Sequence, residues 1–302
     1  MKSGFVSFIG RPNAGKSTLL NKLVGEKLAI VSDKPQTTRT RILGVRNYPD
    51  AQVVFLDTPG IHRPLHRMNV RMVDAAVQTI TEVDVLGLVV DVTESMGRGD
   101  RYVFELVKNA TAPVFLILNK IDLVKKVRLL PLMDAYSKEG TFAEIIPVSA
   151  STGLNVERLE RLLIDRLPEG PALYPLDYLT DQPERVMASE IIREKVLQFT
   201  HAEIPFSSAV VVDRFEEPEG GPKGLLRLYC SIVVERESQK PIIVGRGGDM
   251  IKRIGTAARE ELERFFATRV FLDLHVRVKA DWREDERVLR ELGVGRPGIG
   301  DS

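Results

Sequence analysis

Apolar and polar positions alternate in two different rhythms along this chain. Five short apolar runs, at 5–9, 52–57, 85–91, 114–119 and 145–149, have the length and β-branched content of buried strands. Between them, apolar residues recur at helical spacing over 16–24, 69–79, 100–110, 128–139 and 156–167. Strands separated by helices predict an α/β domain: a mostly parallel sheet with helices on both faces and ligands at the carboxyl ends of the strands.

The rhythm breaks after Leu167. Pro168, Pro171 and Pro175 with Gly170 stop the helix, and a polar run through Asp181–Glu184 follows, which predicts a semi-stiff linker. Beyond it the pattern reads helix (188–200), strand (208–215), turn, strand (225–235), a Gly-rich loop, helix (249–266), strand (270–279) and helix (281–292). The alternation Val270, Leu272, Leu274, Val276, Val278 has a clean period of two. The expected organisation is a first domain over 1–170, a linker over 171–185, a second domain over 186–292 and a disordered Gly-rich tail over 293–302.

Composition narrows the class. With 302 residues, 43% hydrophobic and 28% charged, the chain has the make-up of a soluble globular protein with room for two cores. The longest apolar stretch, 83–92, is broken by Asp84 and Asp91 and is far too short to span a bilayer. No secretory pattern opens the sequence. A single cysteine, Cys230, excludes an internal disulfide and a cysteine-rich zinc site, so the cytoplasm is the expected compartment. Net charge is +1 and both halves are close to neutral, so nucleic-acid affinity would need a local patch.

The candidate chemistry begins at Gly10-Arg-Pro-Asn13-Ala14-Gly15-Lys16-Ser17-Thr18, between a predicted strand and helix. Glycines let backbone N–H groups curl around a β-phosphate, Lys16 reaches the β and γ oxygens, and Ser17 offers a hydroxyl to Mg²⁺. That loop says nucleotide; Asn119-Lys120-Ile121-Asp122 says which. A carboxylate at Asp122 accepts from both N1–H and the exocyclic amine of guanine, donors that adenine lacks. Asn119 would tie this loop to the phosphate loop, the Lys120 stem would lie over the base, and Ser149-Ala150 would offer backbone N–H to the guanine oxygen. Asp57-Thr-Pro-Gly60 ends the second predicted strand, where Asp57 would hold Mg²⁺ through water and the Gly60 N–H would sense the γ-phosphate. Upstream, Thr37 and Thr38 stand in a polar loop where one threonine would ligate Mg²⁺ only while a γ-phosphate is present; Thr38 is preferred. The groups expected to serve hydrolysis are thus Lys16, Thr38, Asp57 and Gly60.

Taken together, GRPNAGKSTLLN, KPQTTRTR, DTPGIH, NKID, PVSA and, downstream, IIVGRGGDMIKRIGTAAREELE resemble the Era-type GTPases over nearly the whole chain. The resemblance implies a P-loop GTPase domain with a mostly parallel sheet, followed by a smaller α+β type II KH domain. It implies a ribosome-assembly factor that binds guanine nucleotides and the 3′ end of 16S rRNA in the small ribosomal subunit. Similar GTPases hold K⁺ through an asparagine at the place of Asn13, which reads equally well as a turn former after Pro12. Peripheral contact with the inner face of the cell membrane goes with the resemblance in general terms, although no amphipathic basic helix here demands it. A monomer is expected.

Three further readings follow. Ile61 stands after Gly60, where many GTPases carry a glutamine that orients the attacking water, so slow intrinsic turnover is expected. His62 and His66 share a spacing of four, but Pro64 between them disfavours a metal-ligand pair. Gly245-Arg246-Gly247-Gly248 is the RNA-binding candidate: it follows Ile243, opens a helix, and is trailed by Ile251, Lys252 and Arg253. Gly221–Gly224 and Gly295–Gly298 share the pattern without that context. Two alternatives are a GTPase partner of an RNA-modifying system, which lacks its cofactor domain or reactive cysteine here, and a nucleotide-stabilised RNA scaffold, against which Lys16, Ser17 and Asp57 argue.

Overall fold

Strand β1 (Lys2–Ile9) is buried along nearly its whole length, as a run hydrophobic on both faces must be at the centre of a sheet. In the computed structural model, which describes residues 1–34, 36–61, 67–218, 224–292 and 294, it lies third in a six-stranded sheet. The others are β2 (Ile42–Asn47), β3 (Ala51–Asp57), β4 (Val85–Asp91), β5 (Val114–Asn119) and β6 (Glu144–Pro147), in the order β2-β3-β1-β4-β5-β6. All neighbours are parallel except β2, which returns antiparallel to β3. The fold is the expected α/β sheet, with one strand the sequence pattern did not disclose. Gly44 and Arg46 interrupt the apolar run in β2, and a Cβ at Gly44 would lie 2.9 Å from Val24 Cγ2 and 2.7 Å from Leu28 Cδ1.

Side chains alternate between two cores. Val85 and Val89 of β4 face one core, with Phe8, Phe55 and the apolar stripes of α1 (Lys16–Val24) and α5 (Val156–Asp165). Leu86, Leu88 and Val90 face the other, with α2 (Arg67–Ile80), α3 (Arg98–Val107) and α4 (Leu129–Ser137). This is the period of two within a strand meeting helices on both sides.

The chain forms two units, one built chiefly of the residues up to Asp181 and the other chiefly of Gln182–Val294. The first thus takes in much of the stretch expected to be linker. Buried Gln52 accepts from the N–H groups of Leu173 (2.7 Å) and Tyr174 (2.9 Å) and donates to Tyr174 O (2.8 Å). Tyr174 and Tyr178 stack at 4.8 Å over Leu43, Val45, Val54 and Leu56, and Val45 N–H donates to Leu179 O at 2.8 Å.

The second unit packs α6 (Glu184–Phe199) and α9 (Asp249–Phe266) against a sheet of β7 (Ala209–Glu216), β8 (Leu225–Val234) and β9 (Arg269–Val278). β7 and β8 are antiparallel with an irregularity between Val212 and Arg214; β8 and β9 are parallel. Two short helices, α7 (Ile204–Ser207) and α8 (Lys240–Val244), join the expected elements. The last helix, α10 (Glu286–Glu291), starts later than its apolar pattern suggests because Asp285 caps it, accepting from Arg287 N at 2.8 Å and Val288 N at 3.3 Å. Among the described residues no helix is long and apolar enough to cross a membrane. The expected tail falls outside the described residues except Val294, as do His62, Pro64, His66 and Gly221; Gly295–Gly298 does so entirely.

Candidate functional site

The loop from Gly10 to Gly15 joins β1 to α1, and its conformation explains its composition. Gly15 has φ 94° and Asn13 φ 64°, both left-handed. A Cβ at Gly15 would lie 2.2 Å from Asn119 Nδ2, so only glycine lets the two loops meet. Lys16 is buried, and its ammonium donates to Arg11 O (3.0 Å) and Gly10 O (3.3 Å), bridging the loop it would share with a phosphate. Burial pushes the Lys16 pKa down, with Asp57 pulling back.

Asp57, at the end of β3, is fully buried. Its Oδ2 accepts from Ser17 Oγ (2.6 Å) and Thr38 Oγ1 (3.2 Å), and the two hydroxyls are 2.7 Å apart. Thr37 instead donates to Lys34 O at 2.6 Å, so Thr38 is the threonine that reaches the cluster. Burial pushes the Asp57 carboxyl up, against the pull of Lys16, Ser17 and Thr38. Its other oxygen, Oδ1, is buried without a partner. Two hydroxyl oxygens and a carboxylate with one unpaired oxygen fit a small divalent cation: Ser17 and Thr38 would supply hydroxyls, and Asp57 would supply charge. Such an ion would neutralise phosphate charge. The chain's own contribution is the Lys16 cation held over the loop.

Gly60 packs on this cradle: a Cβ there would lie 2.7 Å from Pro12 Cα. Ile61, whose N–H donates to Gly10 O at 3.0 Å, is 1% exposed and belongs to the second core. An apolar, buried side chain cannot hold a water. Asn13 donates to Asp33 O at 2.6 Å, which places its amide against the loop that carries Thr38. Asn13, Lys16, Ser17, Thr38, Gly60 and Lys120 all line one cleft.

At the far end of the cleft Asn119 performs the tie its sequence position suggested. Its Nδ2 donates to Ala14 O (2.8 Å), and its Oδ1 accepts from Ala150 N (3.0 Å). That second bond occupies the Ala150 N–H expected to meet the guanine oxygen. The Ser149 N–H donates to Leu154 O at 3.0 Å. Asp122 is exposed, with Ser151 Oγ 3.5 Å from its Oδ2. Lys120 adopts φ 67°, and its ammonium donates to Asp91 at 2.5 Å. Burial opposes the Asp91 charge, but Lys120 and Thr93 outweigh it and hold the carboxyl below its ordinary value. Neither this pair nor the Arg11–Asp100 bridge at 3.0 Å had a sequence signal, because each joins segments far apart in the chain.

In the second unit, Gly245, Gly247 and Gly248 have φ of 76°, 63° and 84°, three positive-φ glycines in the turn between α8 and α9. Arg246 and Lys252 are exposed, and Ile251 is half-buried beside the turn. Arg253, also exposed, lies 4.2 Å over the Phe199 ring. Ile243 departs from its expected role at the RNA surface. It is completely buried in the core of this unit, so it props the turn from behind.

Two family models match, a 50S ribosome-binding GTPase over residues 5–120 and a KH domain over residues 203–283. GTPase Era of Syntrophus aciditrophicus is 55% identical over 97% of this chain and 95% of its own length. GTPase Era of Geobacter metallireducens is 52% identical over 97% of both. The chain belongs to the Era GTPase family. It is a GTP-hydrolysing enzyme with a C-terminal KH domain. A crystal structure of an Aquifex aeolicus Era variant bound to GDP and aluminium fluoride has a TM-score of 0.94 at 41% identity, covering 98% of this chain and 100% of the other. An Era structure in complex with MgGDPNP and nucleotides 1506–1542 of 16S ribosomal RNA has a TM-score of 0.93 at 41% identity, with the same coverage.

Proposed function

We propose that this GTPase is a nucleotide-gated factor that binds the 3′ end of 16S rRNA through its KH domain and assists small-subunit assembly. The observation that carries the gating is Thr38. It sits in the loop before β2, and its hydroxyl reaches Ser17 and Asp57 at 2.7 and 3.2 Å, where loss of a γ-phosphate would be felt. The RNA target is supported by the related Era structure that holds Mg²⁺, GDPNP and that rRNA segment. On this reading Mg²⁺ is held by Ser17, Thr38 and, through water, Asp57. Asp122 reads guanine, and the Gly245–Gly248 turn carries the RNA backbone with Arg246, Lys252 and Arg253 nearby. Hydrolysis is slow because Ile61 is withdrawn into the core, and a K⁺ ion at Asn13 supplies charge that the chain lacks there.

The test is binding of the full chain to a short single-stranded RNA copied from the 16S 3′ end, with GDPNP and with GDP. Tighter binding with GDPNP is expected. Equal affinity in both states would remove the gating, and no binding in either would remove the rRNA assignment.

A further inference from the structure

The sheet of the second unit has two faces, and only one is used by the core. Leu226, Leu228, Cys230, Ile232 and Val234 of β8 are all buried against the helices. The intervening positions toward the start of β8 and β9 point the other way. There, Arg214, Tyr229 and Asp273 stand in register across the three strands, with Glu216, Arg227 and Phe271 in the next row. The Tyr229 and Phe271 rings are 5.9 Å apart, and the Arg214 guanidinium lies 5.6 Å over Tyr229. Phe271 is 45% exposed, unusual for an aromatic at mid-strand.

We infer that this open sheet face is a second binding surface for single-stranded RNA, stacking bases on Tyr229 and Phe271 while Arg227 and Arg269 hold the backbone. The inference rests on the proposed rRNA function and extends it beyond the Gly-rich turn. Three features select nucleic acid. Neighbouring aromatics on an exposed sheet offer π-faces that any base can use, as RNA-recognition sheets do. The acids in these two rows are engaged, Glu216 by Arg214 and Asp273 by His275, while among the described residues Arg227 and Arg269 have no acidic partner. The route follows one helix, since α9 runs 18 residues, about 27 Å, from the turn to the start of β9, a span that ten nucleotides can cover. α9, which begins at the turn, lies over β9, where a Cβ at Gly255 would sit 3.4 Å from Leu274 Cδ1, and β9 is the edge strand. RNA leaving the turn along α9 need cross only that edge to reach Phe271.

The experiment compares two RNAs copied from the 16S 3′ end, one of five nucleotides and one carrying ten further unpaired nucleotides, using the full chain with GDPNP. The longer RNA is expected to bind more tightly. Tyr229→Ala with Phe271→Ala should cost it about ten-fold or more and leave the short RNA unchanged. Tyr229→Phe keeps the ring and should restore binding, which separates stacking from a loss of folding. Arg227→Gln, at an exposed position, should lower the salt dependence of the longer RNA alone. If the short RNA binds, but the extension adds nothing or the alanine variants leave it unchanged, the sheet surface is overturned and the rRNA reading stands. If neither RNA binds the wild type, both fall. Loss of co-sedimentation with the small subunit while longer-RNA affinity holds would make this face a protein contact and overturn the RNA assignment.

Discussion

Asn119→Ala cuts a side chain that joins the phosphate loop, the NKID loop and the loop after β6. Asn119 is 2% exposed, and its partners Ala14 and Ala150 are 2% and 3% exposed, so the groups it satisfies are shielded from bulk water. The variant leaves the Ala14 carbonyl and the Ala150 N–H buried without their partner. At roughly 1–3 kcal/mol for each unsatisfied group, the expected destabilisation is about 2–6 kcal/mol before any relaxation. For a domain of this size even the lower figure corresponds to a fall in Tm of about 4–8 °C. Differential scanning calorimetry of the nucleotide-free full chain measures it. Unchanged emission from Trp282, the single tryptophan, buried in the second unit with Nε1 donating to Ser207 O at 2.9 Å, checks that the second unit is intact. GDP affinity should fall as well, because the loops that hold phosphate and base lose their common brace. A variant with wild-type Tm and wild-type GDP affinity would refute the brace.

Four other outcomes are expected. Asp122→Asn should exchange guanine for xanthine preference, with GTP affinity falling by roughly 10² to 10⁴ as two charged hydrogen bonds are lost; unchanged GTP affinity in a titration would undo the assignment of that loop. Asn13→Ala should abolish the acceleration of phosphate release by K⁺ over Na⁺, and a wild type indifferent to the two ions would remove the K⁺ site. Burial pushes the Cys230 thiol up to about 12, so its neutral form is favoured by folding, and the stability this confers is present below the ordinary thiol range and lost as pH rises through about 12. A thiol reagent at pH 8 should therefore label Cys230 only after denaturation; rapid labelling of native protein would contradict its burial. Gly245→Ala should damage the second unit more than Gly247→Ala, because a Cβ at Gly245 meets Met250 N at 2.6 Å whereas nothing stands within 4 Å of one at Gly247. Equal melting temperatures for the two variants would mean that backbone strain alone sets both.

What the sequence disclosed and what it withheld divide along a physical line. β4 and β5 could be read to the residue because a strand buried on both faces must be continuously apolar. β2 escaped because it is an edge strand whose Gly44 answers to Val24 and Leu28 of the α1 region, a demand no local pattern expresses. α8 carries the β-branched run Ile242-Ile243-Val244, and it is helical because Pro241 opens it and Ile243 is needed in the core. Tertiary packing overrode propensity there.

The same line runs through the sites. The phosphate loop and NKID were legible because their chemistry fixes residue types at short spacing, and Thr38 was separable from Thr37 only once Ser17 and Asp57 stood beside it. The destination of the Ala150 N–H depended on Asn119, 31 residues away, and the hold on residues 173–174 depended on Gln52, more than 120 residues away. Glutamine at 52 looks like an ordinary polar interruption in a strand. Its burial makes sense only because it satisfies three backbone groups of a Pro-rich segment that has no regular structure of its own. A polar side chain inside an otherwise apolar strand is therefore a sequence-level sign of an irregular segment packed across it. The proline run marked where that segment begins but not what holds it.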